Sequence, residues 1–167
     1  MGFKEMSFKE AIGQILEVQN SDRLKDRVLG TLNLQIENCD EDNREWAEFT
    51  YAKKECHLNP YNGIHGGIAC TIADSCMGFT LCAATQKLPS TTDISISYLE
   101  PMTADEYIIR VDIKKTGKTL AASTCEIRER ETGKICINAM GKFILVKKDI
   151  LADEEASRLL NEQNGQG

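Results

Sequence analysis

Hydrophobic spacing changes several times along the chain, and each change predicts an element. Over residues 3–29, Phe8, Ile12, Ile15 and Leu16 fall near helical spacing. Ser7 and Glu10 match a capping box, Asn20-Ser21-Asp22 marks a break between two helices, and Gly30 is placed to end the second. From Thr31 the period becomes two: Leu32, Leu34 and Ile36 alternate with Asn33, Gln35 and Glu37, as in a half-buried strand. An acidic turn over 39–44 leads to a second strand, Trp46 to Ala52, and the two form a hairpin. Residues 56–63 carry Asn, Pro and Gly and read as a loop. Ile64 to about Gln86 is apolar nearly all round, with Ile68, Ile72, Cys76, Phe79 and Ala83 at steps of three and four. Such a segment is a central helix buried on most sides.

After Pro89 the chain is β-rich. Ile94, Ile96 and Tyr98 alternate with Asp93, Ser95 and Ser97, and Pro101 ends that strand. Residues 107–114, 119–130 and 134–146 predict three more strands. Thr116-Gly117 and Thr132-Gly133 separate them as hairpin turns, each glycine at positive φ. Asp149 to Leu160 predicts a short helix, followed by a tail. The fold class is therefore α+β. An antiparallel six-stranded sheet wrapped around one long central helix, with extra N-terminal helices, buries all these faces most simply. One domain is expected over 1–148, its core about 31–147 and its N-terminal helical segment 3–29, with residues 149–167 appended.

Composition narrows the function. With 167 residues the chain can bury a real core, and 41% hydrophobic with 28% charged residues is ordinary for a globular protein. A net charge of −6 argues against nucleic acid and anionic membrane as partners. No uncharged apolar run reaches the roughly 18 residues of a membrane span. Lys4, Glu5, Lys9 and Glu10 interrupt the N-terminal apolar residues, unlike an export signal. Seven cysteines, an odd number without a CxxC, suit reduced thiols, so a cytoplasmic location is expected.

The chemistry concentrates in Asn59-Pro60-Tyr61-Asn62-Gly63-Ile64-His65-Gly66-Gly67, followed by Asp74 in the apolar helix. Glycines at a helix start expose backbone N–H groups that can hold a developing negative charge. A carboxylate in an apolar helix is costly unless it is paired or used. Together they suit acyl transfer: an oxyanion holder and a base. Nine residues of helix separate His65 from Asp74 by about 13 Å, so one chain cannot bring both to one reacting atom. If both act, two copies share each site. Each feature also has a purely structural reading. Gly66-Gly67 serves as a tight turn, Asp74 bonds Ser75 or backbone, His65 starts the helix, Asn59 caps a turn, and Thr91 and Thr92 are ordinary strand residues.

Asn59, Gly63, His65-Gly66-Gly67, Asp74 and the downstream Thr91-Thr92-Asp93-Ile94-Ser95-Ile96-Ser97-Tyr98-Leu99-Glu100-Pro101 resemble the hotdog-fold acyl-CoA thioesterases. The likeness is greatest to the PaaI-like, phenylacetic-acid-degradation type. Lys115-Thr116-Gly117-Lys118-Thr119 and Glu131-Thr132-Gly133-Lys134 fit as well, and the resemblance covers about residues 31–147. It implies hydrolysis of an acyl-CoA to a free acid and coenzyme A, by a homodimer or a homotetramer. Gly66, with Gly67, would offer the oxyanion amide, and Asp74 of the other copy would be general base or nucleophile. Asn59 would place water or the carbonyl, His65 would orient the loop or meet the sulfur, and Thr91, with Thr92 close behind, would be the hydroxyl beside the acid. No cofactor or metal is implied, coenzyme A being part of the substrate. A non-catalytic acyl-CoA binder or sensor is the alternative, and a hotdog dehydratase ranks below it for want of a second His/Asp constellation. Cys39, Cys56 and His57 lack four-ligand metal spacing. Lys87, Lys114, Lys115 and Lys118 are candidates for the coenzyme A phosphates. Packing of Ile68, Ile72, Met77 and Phe79 would shape the acyl site.

Overall fold

A computed structural model describes residues 6–146. Its first helix, α1 (Phe8–Gln19), starts at Ser7, whose hydroxyl accepts from the Glu10 amide while the Glu10 carboxylate accepts from Ser7 N–H. The capping box read from the sequence is thus present. Phe8, Ala11, Ile12 and Leu16 form the buried face of α1, which packs on β1 (Gln35–Cys39) and on the central helix.

The region between them departs from expectation. Gly30 does not end a helix; it lies inside α2 (Val28–Leu32). A Cβ there would collide with the Leu24 carbonyl oxygen, so the glycine lets α2 lie directly against the preceding backbone. Leu32 and Leu34 are buried as the alternation requires. The strand nevertheless begins only at Gln35, because Asn33 takes the left-handed conformation that closes α2.

The second strand, β2 (Trp46–Ala52), is followed by a single 3-10 turn, Glu55–His57, and by α3 (Gly66–Thr85). Then come β3 (Leu88–Tyr98), β4 (Glu106–Thr116), β5 (Leu120–Glu129) and β6 (Ile135–Val146). They form one antiparallel sheet in the order β1-β2-β4-β5-β6-β3. Its inner face carries Phe49, Tyr51, Tyr107, Ile109, Ile127 and Phe143 and wraps α3, which touches β2 through β6. Burying each of the phenylalanine and isoleucine side chains there contributes about 1.5–3 kcal/mol.

By length and composition α3 could cross a membrane. Here it is the core helix of the sheet, and its hydroxyls bond back along it: Ser75 to Thr71 O, Thr80 to Cys76 O and Thr85 to Leu81 O. Of the two hairpin glycines, Gly133 takes positive φ and Gly117 does not. The helix expected over Asp149–Leu160 lies outside the described residues.

Two features of β3 shape the ground around α3. It is an edge strand, which is why Pro89 can sit within it, opposite Leu145. The register with β6 also shifts between Thr91 and Asp93. This bulge reverses the parity of the strand, so Thr91 shares the inner face with Ile94 and Ile96.

Candidate active site

The loop before α3 is built by its own polar groups. Asn59 Oδ1 accepts from the amides of Tyr61 (2.9 Å) and Gly63 (3.2 Å), and Asn59 N–H donates to Gly63 O (2.8 Å). Asn59 therefore shapes the turn. The loop is anchored by Ile64 N–H to Met102 O and by His65 N–H to His57 O, each 2.9 Å.

His57 is buried between β2 and α2. Its Nδ1 meets Tyr51 Oη at 2.8 Å and its Nε2 meets Thr31 Oγ1 at 3.1 Å. The Thr31 hydroxyl gives its own proton to Val28 O, so it accepts from His57. The imidazole is then the neutral Nε2–H tautomer, with Nδ1 accepting from Tyr51. Burial, then the nearby Lys54 ammonium, hold its pKa below 6.5. His57 is thus tied into the frame beneath the loop.

His65 is the N-cap of α3, and its Nδ1 accepts from Gly67 N–H at 2.9 Å. That satisfies Gly67, so of the two glycine amides expected as oxyanion donors, Gly67 already has a partner. The Gly66 N–H is first in the helix and has no acceptor within it. Tyr98, at the end of β3, donates its hydroxyl to Gly66 O at 2.8 Å. Burial, and the adjacent Cys70, raise the Tyr98 pKa, which keeps this donor protonated. The sequence displays Tyr98 only as part of a strand motif. Its inner-face parity with Ile94 and Ile96 is the signal that marks it.

Asp74 lies two turns along α3. It is half-exposed in the single chain rather than buried, because Gly67, Cys70, Thr71, Asp74 and Gly78 form a stripe that the sheet does not fully cover. Its Oδ1 accepts from Thr91 Oγ1 at 2.8 Å. Ser75 bonds backbone instead, and Thr92 donates to Lys142 O. The structure therefore joins Asp74 with Thr91 and excludes Thr92 from that contact. Burial, then the Asp74 carboxylate, raise the Cys70 thiol, which disfavours a thiolate there. Among the candidate lysines, Lys87 Nζ donates to Lys118 O at 2.8 Å.

The described residues thus hold two candidate half-sites on α3. One is the open Gly66 amide with its His65 and Tyr98 braces. The other is the Asp74–Thr91 pair, about 12 Å further along the helix.

The family model of the thioesterase superfamily matches residues 61–136, which include both half-sites. The mouse protein acyl-coenzyme A thioesterase 13 is 32% identical over 84 residues, 49% of this chain and 60% of its own length. The chain thus spans less than two thirds of that relative's length. Among solved structures, zebra fish thioesterase superfamily member 2 superposes with a TM-score of 0.72 at 19% identity, covering 83% of this chain and 98% of that one. A phenylacetic acid degradation-related protein of Ralstonia eutropha gives 0.67 at 20% identity, covering 81% and 99%. Shared architecture and the matched segment agree with the resemblance read from the motifs, and the chain has the hotdog fold of these thioesterase structures.

Proposed function

We propose that this protein is an acyl-CoA thioesterase whose site is completed between two copies of the chain. The observation that carries this reading is the pairing of Asp74 with Thr91, set about two helical turns away from an open amide at Gly66. Reacting groups must approach within about 3–3.5 Å of each other. With about 12 Å of helix between them, Gly66 and Asp74 of one chain serve two different sites in this reading. Two features favour a second copy as the missing half. β3 offers eleven residues of backbone with one edge unpaired among the described strands. The partly open stripe of α3 lies beside it.

In this reading the thioester carbonyl oxygen meets the Gly66 N–H, aided by the positive end of α3. Thr91 fixes one oxygen of Asp74, and the carboxylate takes a proton from water as the water oxygen bonds to the carbonyl carbon. The tetrahedral intermediate collapses, the C–S bond breaks, and the proton on Asp74 passes to the coenzyme A thiolate. The products are a carboxylic acid and free coenzyme A. Asn59 and His65 shape the oxyanion loop in this scheme. No metal or organic cofactor enters, and the seven free thiols fit the cytoplasm as the proposed location.

Asp74→Asn keeps the shape and the Thr91 contact and removes the base. Its kcat on acyl-CoA is expected to fall by about 10²–10⁴, with circular dichroism and gel-filtration volume unchanged. Turnover equal to the unsubstituted protein excludes Asp74 as base. Tight acyl-CoA binding without hydrolysis in the unsubstituted protein replaces the enzyme with a binding protein.

A further inference from the structure

Two glycines in succession are a poor way to start a helix that must hold an amide still, since each adds backbone freedom. The structure shows what restrains them. The peptide linking Gly66 to Gly67 is gripped at both ends: its carbonyl accepts from Tyr98 Oη at 2.8 Å and its N–H donates to His65 Nδ1 at 2.9 Å. Each glycine is also what lets its brace approach. A Cβ on Gly66 would lie 3.3 Å from Tyr98 Cε1, and one on Gly67 would lie 3.2 Å from His65 Nδ1. The two braces come from different elements. His65 is the helix cap itself, whereas Tyr98 reaches in from the end of β3. Tyr98 is 53% exposed, so core packing does not account for a tyrosine here.

We infer that Tyr98 is a positioning residue, one that fixes the first turn of α3 so that the Gly66 N–H is held in a single direction. This rests on the thioesterase reading for its consequence in turnover, but not for its structural content. The hydroxyl acts at the carbonyl next to the open amide, and so through that amide rather than on the reacting atoms. The same strand carries Thr91, which orients Asp74. β3 therefore braces both half-sites of its own chain, one at each end.

Tyr98→Phe keeps the ring over Gly66 and deletes only the hydroxyl. Amide ¹⁵N relaxation is expected to show the Gly66 order parameter falling from a rigid value of about 0.85 toward 0.6, with the melting temperature unchanged. Loss of an oxyanion donor outright costs about 10²–10³ in kcat, so a donor that is only loosened is expected to cost about tenfold, with KM unchanged. A Gly66 amide as rigid in Tyr98→Phe as in the parent overturns the inference, whatever the turnover. Absence of thioester hydrolysis in the parent protein itself would overturn the enzyme reading instead, and the relaxation result would still decide the role of Tyr98.

Discussion

Gly66 can be stripped of its N–H without breaking the helix it begins. Proline is well tolerated at the first position of a helix, where its missing N–H has no intrahelical partner. The residue before proline must be extended, and His65 already is, at φ −61° and ψ 134°. The added Cβ meets Tyr98 Cε1 at 3.3 Å, a contact that a half-exposed ring can relieve by a small shift. Gly66→Pro is therefore expected to fold, to bind acyl-CoA, and to lose about 10²–10³ in kcat. Gly66→Ala makes the same contact with Tyr98 but keeps the N–H, so it should retain far more activity. Steady-state kinetics on both variants separate the steric effect from the lost donor. Equal kcat in the two would mean that the amide of residue 66 holds no charge in the transition state.

Elements are legible in the sequence where their side chains bury in a regular period, and not where backbone contacts decide. The capping box of α1, the strand Trp46–Ala52 and the long helix after His65 all arise from local pattern. Gly30 defies its pattern because its neighbour is the Leu24 backbone, which no periodicity reveals. The Thr91–Asp74 contact depends on a bulge: strict alternation would turn Thr91 outward with Asp93, and the shifted register turns it inward. The brace beneath the loop before α3 is hidden for a similar reason, since His57 joins Tyr51 of β2 to Thr31 of α2, 26 residues earlier. That brace has a pH signature. His57 titrates below its free value of 6.5, so between the two values the unfolded chain binds more protons than the folded one. Stability then rises with pH through that window. It is complete above about 6.5, declines as pH falls toward the folded pKa, and levels off below it. The carboxylates held low by their partners, Asp40 and Asp105, start from 3.8 and act in more acid solution. Urea unfolding at pH 7.5 and 5.5 should show this loss in the parent. In His57→Gln, which has no proton to take up, the two midpoints should lie closer together. An identical pH response in both proteins would assign the loss elsewhere.

At the scale of the whole molecule, the proposed reading gives one chain two unfinished sites and one sheet edge unpaired among the described strands. The β1 side of the sheet packs against α1, whereas β3 ends the other side with its outer edge unpaired among the described strands. The same strand contacts both half-sites, through Tyr98 at Gly66 and through Thr91 at Asp74. A two-fold pairing along this edge, with its axis perpendicular to α3, would lay the two helices antiparallel and set each Gly66 toward the Asp74 of the other copy. Complementation tests this directly. Gly66→Pro alone and Asp74→Asn alone should each be nearly inactive. When the two are co-expressed in equal amounts, half of the dimers formed at random are hybrids. In each hybrid one site collects both substitutions and the other collects neither. The mixture should therefore recover about a quarter of the parent activity. A site contained within one chain predicts no recovery, since every chain would then carry one defect. Recovery that also disappears on dilution, together with a fall in molecular mass, would tie the activity to the association itself.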